Sequence, residues 1–360
     1  MCNRTISITK NDERSVKGMW KKSVKWNNKR SKMSALLLAV SLTLTACGGG
    51  EAGTDNTSAS GSAQETTPVK VVLNWFAKTE HGGFYAAEEN GIYEGKNLDV
   101  TIEPGGPQVS SIQIVASGKA EFGVAHADQI LLAREEGIPI VALATTFQIS
   151  PQALMFHEES GIEDFDDLNG RTVFIQQGQP YWEFLKHKYS LDTVKEVAYT
   201  GQHGNFIEDP QSASQSFVNG EPYVVEKQGI EVGTKLIADS GYEPYAAVVY
   251  TTEKYLEENP ETVKAFVNGT VEGWYDYKEN FEQINKKILE INTNLAEDEI
   301  AFGEEQQREF VFGYDAEENG MGYMTEARWN ELKDQLLEIG LLTKDLDVSE
   351  VFTTEYLPAK

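Results

Sequence analysis

The sequence predicts an α/β fold in two units, and three observations carry that expectation. From Val69 onward short β-rich runs alternate with amphipathic helical stretches, and Gly or Pro follows the helices as a stop signal. The composition, 40% hydrophobic and 24% charged over 360 residues, is that of a globular chain and argues against fibre, disorder and a polytopic membrane protein.

Taken in order, Val69 to Leu73 reads as a strand, Phe84 to Asn90 as a helix closed by Gly91, and Leu98 to Ile102 as a second strand. Val109 to Ser117 is helical with Gly118 behind it, Glu121 to Ala125 a strand, Asp128 to Glu136 a helix ended by Gly137 and Pro139, and Ile140 to Ala144 a strand. Strands separated by single-helix crossovers imply a parallel sheet, whose ligands sit where strands end and helices begin. A second unit begins near Gly161: Thr172 to Ile175 is a strand, Tyr181 to Tyr189 a helix and Val194 to Tyr199 a strand. Asp209-Pro210 reads as a cap and first-turn proline opening a helix that carries Ala213 and Phe217 and stops at Gly220. Tyr245 to Tyr250 is a strand returning to the first unit. Two helices follow, one capped by Asn259-Pro260 with Val263, Phe266, Val267, Val271 and Trp274 on one stripe, the other opened by Thr325 and stopped by Gly340. Their aromatic side chains read as core.

Charge divides the chain unevenly. Residues 1–46 hold ten Lys or Arg against Asp12 and Glu13, a net of +8, which leaves −34 of the total −26 for the rest. So acidic a body excludes a nucleic-acid partner, which would need a basic stripe to displace counterions. Lys21 to Lys32 is followed by an apolar run, Ala35 to Thr45, too short to span a bilayer, and then by Leu44-Thr45-Ala46-Cys47-Gly48. This order is that of a signal peptide over residues 1–46, and its end resembles a bacterial lipobox that would lipidate Cys47. Residues 47–67 are Gly-, Ser-, Thr- and acid-rich, the composition of a flexible tether.

Both cysteines, Cys2 and Cys47, precede the folded body, so a disulfide framework, a thiolate metal site and a cysteine nucleophile are not expected there. Nor are the phosphate-cradling glycine-lysine loop, the serine elbow or the zinc-binding His-Glu-x-x-His helix found. Binding without metal, cofactor or catalysis is therefore the expectation. The candidate contacts lie at strand-to-helix junctions: Asn74, Trp75, His81, Tyr85, Gly106, His126 and Asp128 in the first unit, and Gln177, Trp182, Glu221 and Tyr223 in the second. The set is aromatic and lacks Arg, the usual partner of planar or tetrahedral anions, which points to a neutral or cationic ring with exocyclic donors. Each residue also has a plainer role open to it: Trp75 in the core, His81 or Asp128 as a helix cap, Glu221 and Tyr223 in a hinge.

Leu73-Asn74-Trp75, His81-Gly82-Gly83-Phe84-Tyr85, Pro104-Gly105-Gly106, Ala116 to Val124 and Glu253 to Glu261 together resemble the solute-binding proteins of ATP-driven importers. The resemblance is to the family of sulfonate, taurine and nitrate binders, thiamine-pyrimidine precursor binders and pyrimidine synthases. It implies a type II periplasmic-binding fold, with residues 68–147 and 250–360 in lobe 1, residues 148–249 in lobe 2 and a two-strand hinge between them. It also implies a monomer, lipid-anchored outside the cell membrane, that closes over a small molecule and docks on a membrane permease. The Leu-Asn-Trp segment is most similar to the pyrimidine-handling branch. The cysteine-rich motif of the fungal synthases is absent from the body, which argues against an enzyme. Riboflavin, sulfonate, taurine or nitrate binding, and an extracytoplasmic pyrimidine-processing enzyme, are the alternatives.

Overall fold

The computed structural model describes residues 66–360. The signal peptide, Cys47 and most of the tether therefore lie outside the described residues. The chain runs β1 (Thr67–Val72), α1 (Gly82–Glu89), β2 (Leu98–Glu103), α2 (Ser111–Ala116), β3 (Phe122–Ala125), α3 (Ala127–Glu135) and β4 (Ile140–Phe147). It continues through β5 (Gln152–His157), β6 (Thr172–Ile175), α4 (Pro180–Tyr189), β7 (Lys195–Ala198), α5 (Gly204–Glu208), β8 (Ala213–Phe217), α6 (Glu221–Glu226) and β9 (Val232–Leu236). Last come β10 (Ala246–Thr252), α7 (Glu253–Glu258), α8 (Pro260–Ile291), α9 (Glu297–Phe312), α10 (Asp315–Asn319) and α11 (Glu326–Glu338).

These strands form two five-stranded sheets, β2-β1-β3-β10-β4 and β7-β6-β8-β5-β9. In the first, β1 pairs in parallel with β2 and β3 while β10 is antiparallel to β3 and β4; in the second, β6 pairs in parallel with β7 and β8 while β5 is antiparallel to β8 and β9. Each sheet thus takes a returning antiparallel strand, and the chain crosses between them twice, after β4 and before β10. The α/β fold of two lobes joined by two crossings follows the sequence expectation.

One part of that expectation is corrected. Residues 213–217, read as the middle of a helix, are β8, the central strand of the second sheet. Asp209-Pro210 opens a turn rather than a helix, closed by Ser212 N–H donating to the Asp209 carbonyl at 2.9 Å. The strand escapes apolar alternation because its buried residues Ser214, Gln215 and Ser216 are polar. Gly220 accordingly precedes a helix, α6, instead of ending one.

The first lobe is clamped by glycine. Gly82 and Gly83 at the start of α1 lie against the rings of Tyr277 and Trp274 on α8, and Gly273 of α8 lies against the Gly83 carbonyl and Ala87. A side chain at any of the three would meet atoms already in place, so the two backbones approach because the glycines have none. This contact seats the loop between β1 and α1, where the sequence places its first candidates. Thr325 Oγ1 accepts from Arg328 N–H to cap α11, whose buried Trp329, Leu332 and Leu336 join a hydrophobic cluster with residues of both lobes, including Ile130, Leu131, Trp182 and Leu185. Replacing Gly273 with Val is expected to destabilise the protein by about 1–3 kcal/mol through overpacking, read as a lower urea midpoint at unchanged slope.

Candidate functional site

A cavity of about 470 Å³ lies between the two lobes, within the range of small-molecule sites. The first lobe supplies the loop after β1 (Asn74, Trp75, Lys78, Glu80), the turn after β2 (Gly106 to Ser110), the start of α2, and His126 and Gln129 at the start of α3. The second lobe supplies Gln152, Gln176, Gln179, Tyr181, Tyr199, Gln215, Ser216, Phe217 and Glu221. Gly105 and Gly106 shape the rim. Gly105 N–H donates to the Trp75 carbonyl at 2.9 Å, a Cβ on Gly105 would strike the Leu73 carbonyl oxygen, and Gly106 has φ +157° beside the Phe76 ring. Trp75 packs partly against the second-lobe cluster of Met155, Phe174, Tyr199, Phe206 and Val225, so its indole bridges the lobes.

Six glutamines face the cavity, Gln108, Gln129, Gln152, Gln176, Gln179 and Gln215, together with Trp75, Tyr181, Tyr199 and Phe217. Amides both donate and accept, so this lining suits a flat, uncharged ring with nitrogen and oxygen on its edges. No Arg is among the lining residues. Arg134 pairs with Glu253, Arg171 bonds Gln211, Arg308 pairs with Glu304, and the Arg328 guanidinium lies 4.0 Å from the centre of the Tyr245 ring.

The charged groups form one corner. Lys78 Nζ of the first lobe donates to Glu221 Oε1 of the second at 2.9 Å, and Phe217 N–H donates to Glu221 Oε2 at 2.7 Å. Burial by itself would lower the Lys78 ammonium, but Glu221 and Glu80 reverse that and hold it above its ordinary value. Burial would likewise raise Glu221, but Lys78 and the Phe217 N–H hold its carboxyl below the usual range. Glu80 is different: burial pushes it up to about 7 against the pull of Lys78. His126 is held below its ordinary value by burial and is neutral.

Of the eleven candidates, Asn74, Trp75, Gly106, His126 and Glu221 line the cavity. The structure does not bring the other six to it. His81 is fully buried, held down to about 3 by burial with Lys78 adding to it, and its Nε2 lies 3.0 Å from Asn74 Oδ1, so it orients a cavity residue from behind. Tyr85 is buried in the first lobe's core and Trp182 in the hydrophobic cluster shared by both lobes, because they occupy inward positions of α1 and α4. Asp128, raised by burial, accepts from Tyr242 O–H at 2.9 Å beneath α3. Gln177 is exposed, between Gln176 and Gln179, which do face inward. Tyr223 stacks on Phe302 of α9 at 4.6 Å, and its hydroxyl donates to Asp298 at 3.2 Å, a lobe-to-lobe contact outside the cavity.

Sequence reasoning missed Lys78, Glu80, Gln129, Gln152, Gln179, Tyr199, Gln215, Ser216 and Phe217. Lys78 and Glu80 lie in the same strand-to-helix loop as Asn74 and His81, so the junction rule extended across the whole loop would have found them. Gln215 and Phe217 were hidden by reading β8 as a helix, and Gln152 because no element was assigned to the segment that forms β5.

Two α/β lobes with a ligand-sized cavity at their junction define the periplasmic-binding-protein class. The chain belongs to the NMT1/THI5-like family, whose model matches residues 78–284. It is 24% identical over 305 residues to the riboflavin-binding protein RibY of Chloroflexus aurantiacus, covering 81% of this chain and 86% of that one. It is 26% identical over 269 residues to the formylaminopyrimidine-binding protein of Halalkalibacterium halodurans, covering 72% and 79%. Other relatives are named 4-amino-5-hydroxymethyl-2-methylpyrimidine phosphate synthases. The fold matches that of the aliphatic sulphonate binding protein SsuA of Escherichia coli with TM-score 0.61 at 14% identity, over 81% of this chain and 94% of that one. No helix among the described residues is long and apolar enough to cross a membrane.

Removing one partner of the inter-lobe ion pair should strand the other. Lys78→Met is expected to lose up to about 3 kcal/mol at pH 7, less if the lobes part and let water reach Glu221. The paired carboxylate contributes stability above the unfolded carboxylate value, and that contribution fades as pH falls through its depressed folded value. The deficit of the variant should therefore shrink below about pH 4, as urea titrations of both proteins at several pH values will register.

Proposed function

We propose that this chain is the substrate-binding component of an ATP-driven importer, held outside the cell membrane by a lipid on Cys47, and that it captures a small aromatic nitrogen heterocycle by closing its lobes. The observation that carries the reading is the cavity lining: seven amide side chains, six glutamines and Asn74, converge from both lobes with the rings of Trp75, Tyr181, Tyr199 and Phe217, and the only lysine among the lining residues is pinned by Glu221. Such a surface rewards stacking and edge hydrogen bonds and gives a sulfonate or nitrate no free cation. Two relatives support it, being named as binding riboflavin and formylaminopyrimidine.

In this reading the ring stacks against Trp75 in the open form, and Gln176, Gln179 and Gln215 complete its hydrogen bonds as the second lobe arrives. The ligand shifts the closure equilibrium only by as much as it binds the closed form better. The closed monomer then docks on a permease. Capture without conversion is the expected outcome, so a ligand recovered after incubation keeps its mass; a changed mass would favour the pyrimidine-processing alternative.

Calorimetry with aminopyrimidines, riboflavin, taurine and nitrate should give heat for a heterocycle at micromolar concentration or below, and heat from taurine or nitrate alone would sink the reading. Trp75→Ala should weaken that binding by about a hundredfold while moving the melting temperature of the free protein by only a few degrees. Cys47→Ser should shift the protein from the membrane fraction to the soluble one, and continued sedimentation with membranes would rule out the lipid anchor.

A further inference from the structure

A carboxamide can donate or accept at a ligand only until one of its ends is taken. Backbone groups settle which end, since an N–H can only donate and a carbonyl can only accept, and they hold three of the cavity glutamines. Gln176 N–H donates to Gln215 Oε1 at 2.5 Å, and Tyr181 O–H donates to the same oxygen at 3.3 Å. Both lone pairs of that oxygen are thus filled. Gln215 is buried on β8 and lines the cavity, and its NH2 group makes no hydrogen bond among the described residues. Gln129, on the other lobe at the start of α3, is turned the same way: its Oε1 accepts from His126 N–H at 3.1 Å, which leaves its NH2 group over. Gln152 is turned the opposite way. Its NH2 group donates to the Ser216 carbonyl at 3.0 Å and to the Ala153 carbonyl at 3.4 Å, so its oxygen is the end left over.

We propose that Gln215 determines which ligands the cavity accepts: locked by Gln176 and Tyr181, it offers only an N–H donor and admits only a lone pair, on a carbonyl oxygen or an unprotonated ring nitrogen. This rests on the heterocycle-binding reading above and deepens it. An amino group, or a ring nitrogen that carries a proton, would set hydrogen against hydrogen at this point. The amide does not adapt by turning over, because its NH2 group would then face Gln176 N–H, and a desolvated donor stranded in this way costs about tenfold in affinity or more. Gln129 repeats the demand from the first lobe. Closure therefore brings a fixed donor to the ligand from each side, while Gln152, which pairs with Phe217 two residues further along β8, supplies a fixed acceptor. A ring with lone pairs on two edges is gripped by both lobes; one with donors alone finds only Gln152.

The test uses the full-length chain in detergent. Uracil, 4-amino-2-methylpyrimidine and riboflavin serve as probes that carry lone pairs, and benzene-1,3-diamine as a flat probe with amino groups and no ring acceptor. By calorimetry the wild type should bind at least one of the first three about tenfold or more tightly than the diamine. Gln215→Glu keeps the shape of the side chain and reverses the polarity of its free end. At pH 8 its carboxylate turns a lone pair toward the probe, and affinity for the tightest-bound of the three should fall by about tenfold or more. As pH falls the carboxyl group gains a proton and donates again, so affinity should return toward the wild-type value by about pH 5, with a proton taken up on binding between those limits. Lys78, Glu80, His126, Tyr181, Tyr199 and Glu221 line the cavity in both proteins, so their titration cancels in the ratio of the two affinities. Without any probe, Gln215→Met, which cannot take the Gln176 N–H, should speed hydrogen exchange of the Gln176 amide by about tenfold. A Gln215→Glu protein with wild-type affinity at pH 8, or with the same loss at every pH, would overturn the proposal. So would a Gln176 amide that exchanges equally fast in the wild type and in Gln215→Met, or a wild type that prefers the diamine. Tighter binding of a heterocycle by Gln215→Glu at pH 8 would overturn this inference and leave the heterocycle reading standing. A wild type that binds taurine or nitrate and none of the rings would overturn both.

Discussion

Lys78 and Glu221 meet across the gap between the lobes inside a cavity whose other lining is mostly amides, hydroxyls and rings. Much of the site follows from that pair. Each charge would be expensive to bury by itself, and together they are tolerable only while the lobes are close. The pair therefore ties the position of α6 to that of the loop after β1, and it engages the one lysine that lines the cavity among the described residues. What remains is a neutral, hydrogen-bonding interior with one carboxyl group, Glu80, left over.

The two lobes meet in three physically different ways. Away from the cavity, α11 and the crossing segments contribute to a hydrophobic cluster drawn from both lobes, with Trp329, Tyr242 and Tyr245 among its buried residues. Inside the cavity, contact is polar and aromatic, through the ion pair and Trp75. At the outer lip, α6 meets α9 through the Tyr223–Phe302 stack and the shared carboxylate of Asp298. The rear contact is dry and extensive and suits a pivot; the inner and outer contacts are small and wettable and suit surfaces that separate and rejoin.

The site was legible where chemistry and chain order coincide. Asn74, Trp75, Gly106, His126 and Glu221 were found because they sit at strand-to-helix junctions, and the missing Arg was a matter of counting. Tyr85 and Trp182 misled for the same reason, since a junction names the residues near a cleft but not the direction each side chain takes. One helical position decides whether a ring enters the cavity or the core. β8 was misread because a central strand with serines and a glutamine inside it has no apolar period, and those polar residues are there because they face the cavity and its surroundings.

The amino-acid sequence alone determined the alternation of strands and helices, the acidity of the body and the scarcity of guanidinium groups, because each depends on local pattern or composition, while the two-lobed fold was what the family resemblance implied. Which glutamines converge, that Lys78 finds Glu221 from 143 residues away, and that Glu80 joins them on the cavity wall, only the tertiary structure decided. Those facts depend on side chains from distant segments sharing one desolvated space, and no local pattern records which distant neighbour a buried charge will have.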